Sequence, residues 1–413
     1  MKLDRACLVA VKQQNTGMDQ TAISPVPAID PADERAWAAI RAQFTVAPDF
    51  INLENGYFGI QPDPVLAAFT RYTALANAET ARFLRLTYPP LLEGVMAGLA
   101  GFTGVGVDEL LITLNATEAM NIVAQGYPFR PGDEVILGDH DYDHVVPIFE
   151  LLAERKGIIV KRVRLPLHPR DDADILECYE AALSPRSRVI LATHMIHLTG
   201  QILPVAKLAA MARRYGVDLI VDAAHSFAHI EFRLPALGVD FVALNLHKWL
   251  GAPLGTGLLY IKRERLAEIE PLFADSIFAR GDIRRLGHFG TTPPGAILAI
   301  SDALAFHNGI GSGNKEARLR HLKDYWMDRV AGIEGVELLT PRDPGRSCAI
   351  GAFRIKGWDA EQVVDALYDR YRIFTVGRPI DGGTGVRVTP HLYNRLDELE
   401  RLVEAIGRLA ARP

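Results

Sequence analysis

Cysteine is scarce: Cys7, Cys178 and Cys348 are the only three in 413 residues. Few, odd in number and far apart, they argue against a disulfide framework and fit a reducing, cytoplasmic setting. Long apolar runs are missing too. No stretch approaches the roughly 18 residues a membrane helix needs. The apolar segment Ala6 to Val11 is too brief for a signal peptide and is followed by no small-residue cleavage site. Basic charge shows no surplus, with 45 Lys and Arg against 50 Asp and Glu. Clusters such as Arg284-Arg285 and Lys262-Arg263 read as solvated faces, so neither nucleic acid nor an anionic membrane is an expected partner. No internal repeat or low-complexity tract stands out. Residues 1–30 read as a flexible N-terminal arm, within which Met18 offers a second start.

What is present is an ordinary globular composition, 49% hydrophobic and 23% charged, on a chain long enough for two or three folding units. From about residue 90, helical periodicity alternates with short β-rich runs. Helices are predicted at 91–102, 116–127, 145–156, 175–183 and 205–215. Strands are predicted at 109–114, 134–137, 158–163, 188–193, 218–222, 241–244 and 257–261. Such alternation predicts βαβ units and a mostly parallel sheet covered on both faces. The runs Val189-Ile190-Leu191-Ala192 and Leu219-Ile220-Val221 suit strands buried on both sides. One long helical region is predicted over 295–330, then strands at 336–339, 349–355 and 385–389 with helices at 360–371 and 395–411. The resulting division is an arm (1–30), a large α/β domain (31–300) whose N-terminal helix packs on the small domain, and a smaller α+β domain (301–413).

The strongest chemical constellation lies between Asp222, ending one apolar strand in Val221-Asp222-Ala223-Ala224-His225, and Lys248, following the next in Asn245-Leu246-His247-Lys248-Trp249. In an open α/β sheet ligands bind beyond the carboxyl ends of strands, so both side chains would share one crevice. A lysine there can form an imine with an aldehyde once burial deprotonates it. A carboxylate keeps a pyridinium nitrogen protonated, which makes that ring an electron sink. His225 suits the ring or its phenolic oxygen, and His247 the phosphate. Singly, each residue has a plainer reading, a snorkelling surface lysine or a strand-end turn aspartate. Together with the glycine-rich 251–257 that follows, they point to pyridoxal 5′-phosphate (PLP). At a second strand-to-helix junction, Asn115-Ala116-Thr117 offers backbone N–H groups and a hydroxyl to a phosphate, or simply an N-cap. His140 with His144, and His194 with His197, have spacings a metal could use but no third ligand, so no metal is expected. The 101–106 segment, Gly-Phe-Thr-Gly-Val-Gly, ends a helix instead of following a strand and is not a dinucleotide loop.

The set Asn115-Ala116-Thr117-Glu118-Ala119, Thr199-Gly200, Asp222-Ala223-Ala224-His225 and His247-Lys248-Trp249 resembles the class V aminotransferase family. Asn55-Gly56 and Arg387-Val388-Thr389-Pro390-His391 bring it nearest the isopenicillin N epimerase-like members. The resemblance runs from about residue 50 to the C-terminus. It implies the fold-type I architecture and an obligate homodimer with shared active sites. Lys248 is then the Schiff-base lysine, Asp222 the partner of the pyridine nitrogen, and Tyr142 the aromatic on the ring. Thr117 and its neighbours Asn115 and Ala116, with Asn245 and His247, fall among the cofactor contacts. Gly290-Thr291-Thr292 reaches the partner subunit's phosphate, and Arg387 grips a substrate carboxylate, with Asn55 and Tyr57 beside it. His197 stands where related lyases carry Asn. Residues 372–386 hold no cysteine, against a persulfide mechanism. Lys248, freed when a substrate amine takes over the imine, is the natural base for an α-proton. The expected activity is epimerase or aminotransferase chemistry on an amino acid or an amino-acid-derived substrate. The alternatives are a C–S β-lyase, a decarboxylating enzyme and a non-catalytic PLP-binding regulator.

Overall fold

A computed structural model of the chain describes residues 26–411. Most of the predicted arm and Cys7 lie outside the described residues. In chain order the elements are α1 (Glu34–Arg41), β1 (Ile51–Asn52), α2 (Asp63–Glu79), α3 (Tyr88–Thr103), β2 (Leu110–Thr113), α4 (Ala116–Gly126) and β3 (Glu134–Gly138). Then come α5 (Val146–Lys156), β4 (Ile159–Val163), α6 (Asp172–Glu180), β5 (Ser187–Thr193), α7 (Val205–Arg214) and β6 (Asp218–Asp222). The short α8 (Leu234–Leu237) precedes β7 (Phe241–Asn245) and β8 (Gly257–Ile261).

β2 to β8 form one seven-stranded sheet in the order β2-β8-β7-β6-β5-β3-β4. β3 to β7 run parallel; β8 alone is antiparallel to both of its neighbours. The sequence explains the layering. β3, β7 and β8 are buried at every residue, as strands covered on both faces must be. α7 places Val205, Leu208, Ala209 and Ala212 on one buried stripe and its charges outward. Because β2 and β3 to β7 share one direction, the segments after β2, β3, β5, β6 and β7 all open at the same edge of the sheet.

The helical region predicted over 295–330 is divided into three helices, α9 (Pro294–Leu298), α10 (Ile300–Ile310) and α11 (Ser312–Val330). Gly311 at φ +86° breaks the last two apart, a backbone state glycine enters without a steric penalty. Beyond them lie β9 (Val336–Leu338), β10 (Gly351–Ile355), α12 (Ala360–Tyr371), β11 (Ile373–Phe374), β12 (Val376–Ile380), β13 (Gly383–Val388) and α13 (Leu396–Ala410). They build a four-stranded antiparallel sheet, β12-β13-β10-β9, whose core takes Trp326, Phe353, Leu399 and Leu402. α13 carries its apolar residues at Leu399, Leu402, Ala405, Ile406 and Leu409, an i, i+3, i+4 pattern that buries one face.

The chain near residue 50 ties the two sheets together. β1 pairs in parallel with β11, and Glu54 forms a bridge with Thr389. The chain then leaves this two-stranded ladder and reaches the turn after β7, where the Gly59 amide donates to the His247 carbonyl.

Candidate active site

Strand ends supply most of the site. β6 closes on Asp222 and β7 on Asn245, and the next turn carries Lys248. Lys248 Nζ lies 3.0 Å from His225 Nε2, and both side chains are buried. Burial brings the Lys248 amine down to about 8; Asp222 opposes that shift and Arg387 reinforces it. At neutral pH this leaves roughly 300-fold more free amine than on an ordinary lysine. Burial likewise raises the Asp222 carboxyl, against the Ala224 amide, which donates to its Oδ1 at 2.9 Å, and against Lys248. His225 is pushed well below the usual imidazole range, by burial first and then by Lys248, so its ring is neutral.

Lys248 is fixed from both sides. Trp249, fully buried, stacks on His229 at 3.6 Å and on His391 at 5.6 Å, and the buried Lys315 ammonium donates to the Trp249 carbonyl. Opposite, the chain after β1 passes so close that a Cβ on Gly59 would sit 2.3 Å from the Lys248 carbonyl oxygen. Only glycine fits there.

The helix-N-terminus end is more committed than its sequence suggests. Asn115 is the N-cap of α4, accepting from the Glu118 amide at 2.8 Å, and the Ala116 amide donates to Asn245 Oδ1 at 2.8 Å. The Thr117 amide and hydroxyl have no protein partner among the described residues, so they are the open donors. His247 spends Nδ1–H on the Thr256 carbonyl at 2.8 Å, and burial brings it down to about 4. Its free Nε2 is therefore an acceptor, and serving a phosphate would require the ring to gain a second proton.

Tyr142 follows β3 on a loop held by Asp141. That carboxylate takes the Thr193 hydroxyl at 2.6 Å and the Gly138 amide at 2.8 Å. The Tyr142 ring meets His197 edge-on at 5.1 Å, and His197 lies near-parallel to His225, with centroids 6.4 Å apart. Nδ1 of His197 and of His225 is buried with no partner among the described residues. An amine, a carboxylate, two open imidazole nitrogens and an open helix N-terminus suit an aldehyde, a pyridine nitrogen, a phenolic oxygen and a phosphate in turn. The residues present fit PLP.

Other predicted residues lie elsewhere or are otherwise engaged. His140 sits among Asp139, Asp381, Arg162 and Arg164, and the His194 ring packs on Phe232 at 4.9 Å. The Thr199-Gly200 turn is a packing feature: Gly200, at φ +74°, abuts the Ile350 carbonyl, and Thr199 O accepts from the Thr340 hydroxyl. Gly290 adjoins Thr291 and Thr292, which line an outer groove with Tyr88 and Leu114, apart from the Lys248 cluster of the same chain. Asn55 is clamped: its amide N–H reaches the Thr389 hydroxyl at 2.6 Å, its Nδ2 the Thr389 carbonyl at 2.8 Å, and its Oδ1 accepts from Tyr393 at 2.5 Å. Arg387 is fully buried, and its guanidinium is already paired with Glu54 at 2.5 Å. Glu54 and Gly59 carry no functional signal in the sequence. The partner that gives Glu54 its meaning lies 333 residues away, so no local pattern announces it.

The chain matches the aminotransferase class-V family model over residues 60–402. It is 34% identical to the isopenicillin N epimerase of Amycolatopsis lactamdurans, covering 91% of this chain and 99% of that one. With the isopenicillin N epimerase of Streptomyces clavuligerus it shares 31%, over 90% and 98%. A probable cysteine desulfurase of Methanothermobacter thermautotrophicus is 26% identical, over 90% and 97%. Among solved structures, the apo cysteine desulfurase of Thermococcus onnurineus superposes with a TM-score of 0.81 at 22% identity, covering 94% of this chain and 100% of that one. The cystine C–S lyase C-DES gives 0.78 at 23%, over 87% and 98%. This protein belongs to the class-V aminotransferase family, an enzyme of the fold-type I architecture whose cofactor is PLP.

Proposed function

We propose that the enzyme labilises a bond at Cα of an amino acid or amino-acid-derived substrate, in the manner of an epimerase or aminotransferase, with Lys248 as the proton-transferring base. The carrying observation is the Lys248 amine, buried, lowered to about 8 and held 3.0 Å from His225. A general base is most effective when its pKa lies near the working pH. PLP, when bound, supplies the electron sink. This chain's residues do the rest. Lys248 takes or returns a proton at Cα. Asp222 would hold a proton at the cofactor's ring nitrogen, His225 and His197 would offer their imidazole nitrogens to its phenolic oxygen, Tyr142 would pack against it, and Thr117 would donate to its phosphate. A carboxylate on the substrate would meet the guanidinium of Arg387 at the small-domain end of the site.

The epimerase relatives at 31% and 34% identity favour proton chemistry over desulfuration. So does the setting of the described thiols. Burial raises Cys348 to about 12 and its sulfur faces the His229 and Glu316 carbonyls, while Cys178 lies on α6 against the Asp174 carbonyl. Neither is a nucleophile at this site. A β-lyase needing no thiol is the second reading, supported by the cysteine desulfurase relatives.

A homodimer is part of the proposal. Leu86, Leu114, Phe273 and Ile277 leave large apolar side chains exposed, and Leu114 also lines the groove that holds Thr291 and Thr292. No helix among the described residues is long and apolar enough to cross a membrane.

The test is NMR of the holoenzyme with a panel of amino acids in D₂O. Exchange of an α-proton, followed by inversion or keto-acid formation, supports the proposal and separates its two forms. Release of a β-substituent as pyruvate forms transfers it to the lyase reading. No exchange with any amino acid rejects both for that panel.

A further inference from the structure

α11 buries three cations, and it treats one of them differently. Arg318 and Lys323 are enclosed, and each meets a carboxylate, Glu34 and Asp324 in turn. Lys315 is buried too but pairs with no carboxylate among the described residues; its ammonium donates instead to the Trp249 carbonyl. Its charge bears on His229, His307 and His391, and Cys348 bears on it. Burial holds the three imidazoles well below their usual range and raises the Cys348 thiol to about 12, so none of the four supplies a negative charge at neutral pH. Burial brings the Lys315 amine itself down to about 7, and both of its forms can donate to a carbonyl. An ammonium without a counter-charge is costly to bury, and packing alone does not account for it.

The carbonyl it holds belongs to the residue after Lys248. Trp249 lies between two imidazoles, His229 at 3.6 Å and 26° and His391 at 5.6 Å and 19°. Its indole N–H has no partner among the described residues, so the ring contributes through its faces. His229 has one tautomer open to it. Its Nε2 accepts from the Ala349 amide at 2.9 Å, so Nδ1 carries the proton and donates to the His225 carbonyl at 2.9 Å. His225 is the residue whose Nε2 meets Lys248 Nζ at 3.0 Å. The stack therefore ties the turn after β6 to the turn after β7, behind that contact. Its outer anchors come from other parts of the chain: Ala349 precedes β10, His391 follows β13, and Lys315 lies on α11. The charges that act on the Lys248 amine are those of Asp222, Arg387 and Glu54, so Lys315 reaches it through the backbone.

We propose that Lys315 is a positioning residue for Lys248: by holding the Trp249 carbonyl it seats the His229–Trp249–His391 stack and sets where the Lys248 amine stands against His225. The proposal rests on the reading of Lys248 as the base of the reaction. It explains why α11 keeps a buried cation without a counter-charge, since stability is given up where a reacting group must be held closely in place.

The test follows the internal imine of the holoenzyme by absorbance across pH. Alongside it run α-proton exchange of the fastest amino acid of the panel and urea denaturation of the PLP-free protein. Lys315→Met removes both donor and charge. The imine pKa should move by about 0.5 or more. Turnover should fall about 10- to 100-fold, with KM within about 3-fold. Stability should hold or rise, because a buried amine is gone. Lys315→Gln keeps a donor without the charge, and should return the imine pKa toward that of the wild type together with part of kcat. An unchanged imine pKa in Lys315→Met overturns the proposal, whatever turnover does. Equal shifts in the Met and Gln variants overturn it as well, by assigning the effect to charge alone. If neither variant folds, Lys315 is a stabiliser and the proposal falls. If the wild type exchanges no amino acid of the panel, the reading of Lys248 as base falls instead, while the imine pKa still decides the role of Lys315.

Discussion

The two ends of the site are built by opposite means. At the Lys248 end each functional group follows a strand of the large sheet, and its chemistry comes from burial: one amine brought down to about 8, one carboxyl raised, imidazoles kept neutral. At the Arg387 end the charges come from segments far apart in the chain and neutralise one another before a substrate arrives. A group meant to react is left without its usual solvation. A group meant to hold is paired. The contrast lies in what removal should cost, function at one end and stability at the other.

Lys248→Ala should test the first half most severely. Loss of the base and of the imine is expected to lower turnover by about 10⁴-fold, measured on protein reconstituted with PLP, and to remove the visible band of the internal imine. A band that persists after the cofactor is washed through would break the assignment. Unfolding stability should hold or rise, since the variant no longer buries an amine.

Arg387→Met addresses the second half. It leaves the buried Glu54 carboxylate without its counter-charge, and should cost about 3–5 kcal/mol in urea denaturation. The double variant Glu54→Gln with Arg387→Met is expected to recover most of that loss. Equal instability of the single and double variants would mean that the guanidinium contributes by packing alone.

Gly59→Ala tests the seam between the two ends. Its Cβ cannot be accommodated 2.3 Å from the Lys248 carbonyl, so the crossing segment must shift, at about 1–3 kcal/mol. Urea denaturation and the reactivity of Lys248 should change together.

The smallest effect is one of pH. The Lys248 amine has its folded pKa depressed to about 8, below that of a free lysine near 10.4, so the unfolded chain binds more protons in that interval. Stability of the cofactor-free protein should therefore rise with pH from about 8 to about 10 through this group. Lys315, brought down to about 7, contributes a slope of the same sign, so the effect of Lys248 is the difference between wild type and Lys248→Ala. Equal slopes for the two proteins would contradict a depressed amine.

Much of the large sheet was legible in the sequence because its information is local. β6 was predicted to the residue, and neighbouring strands to within one or two, since continuous apolar runs bounded by polar turns have few alternatives. The break at Gly311 was not, because periodicity persists across it while a single positive φ redirects the chain. β12 was missed altogether, its run interrupted by Gly377 and Pro379. At the site, Asp222 and Lys248 could be singled out from their positions after strands. The engagement of Asn55 with Thr389 and of Arg387 with Glu54 could not.

By itself the sequence determined the alternation of strand and helix, the edge at which the functional loops gather, and the types of group offered to a cofactor. Each follows from short-range periodicity and from the fixed direction of parallel strands. Only the tertiary structure decided which charges meet. Whether a guanidinium is free or neutralised depends on a carboxylate hundreds of residues away, and that distance is closed only when β1 docks on β11 and carries Glu54 onto Arg387.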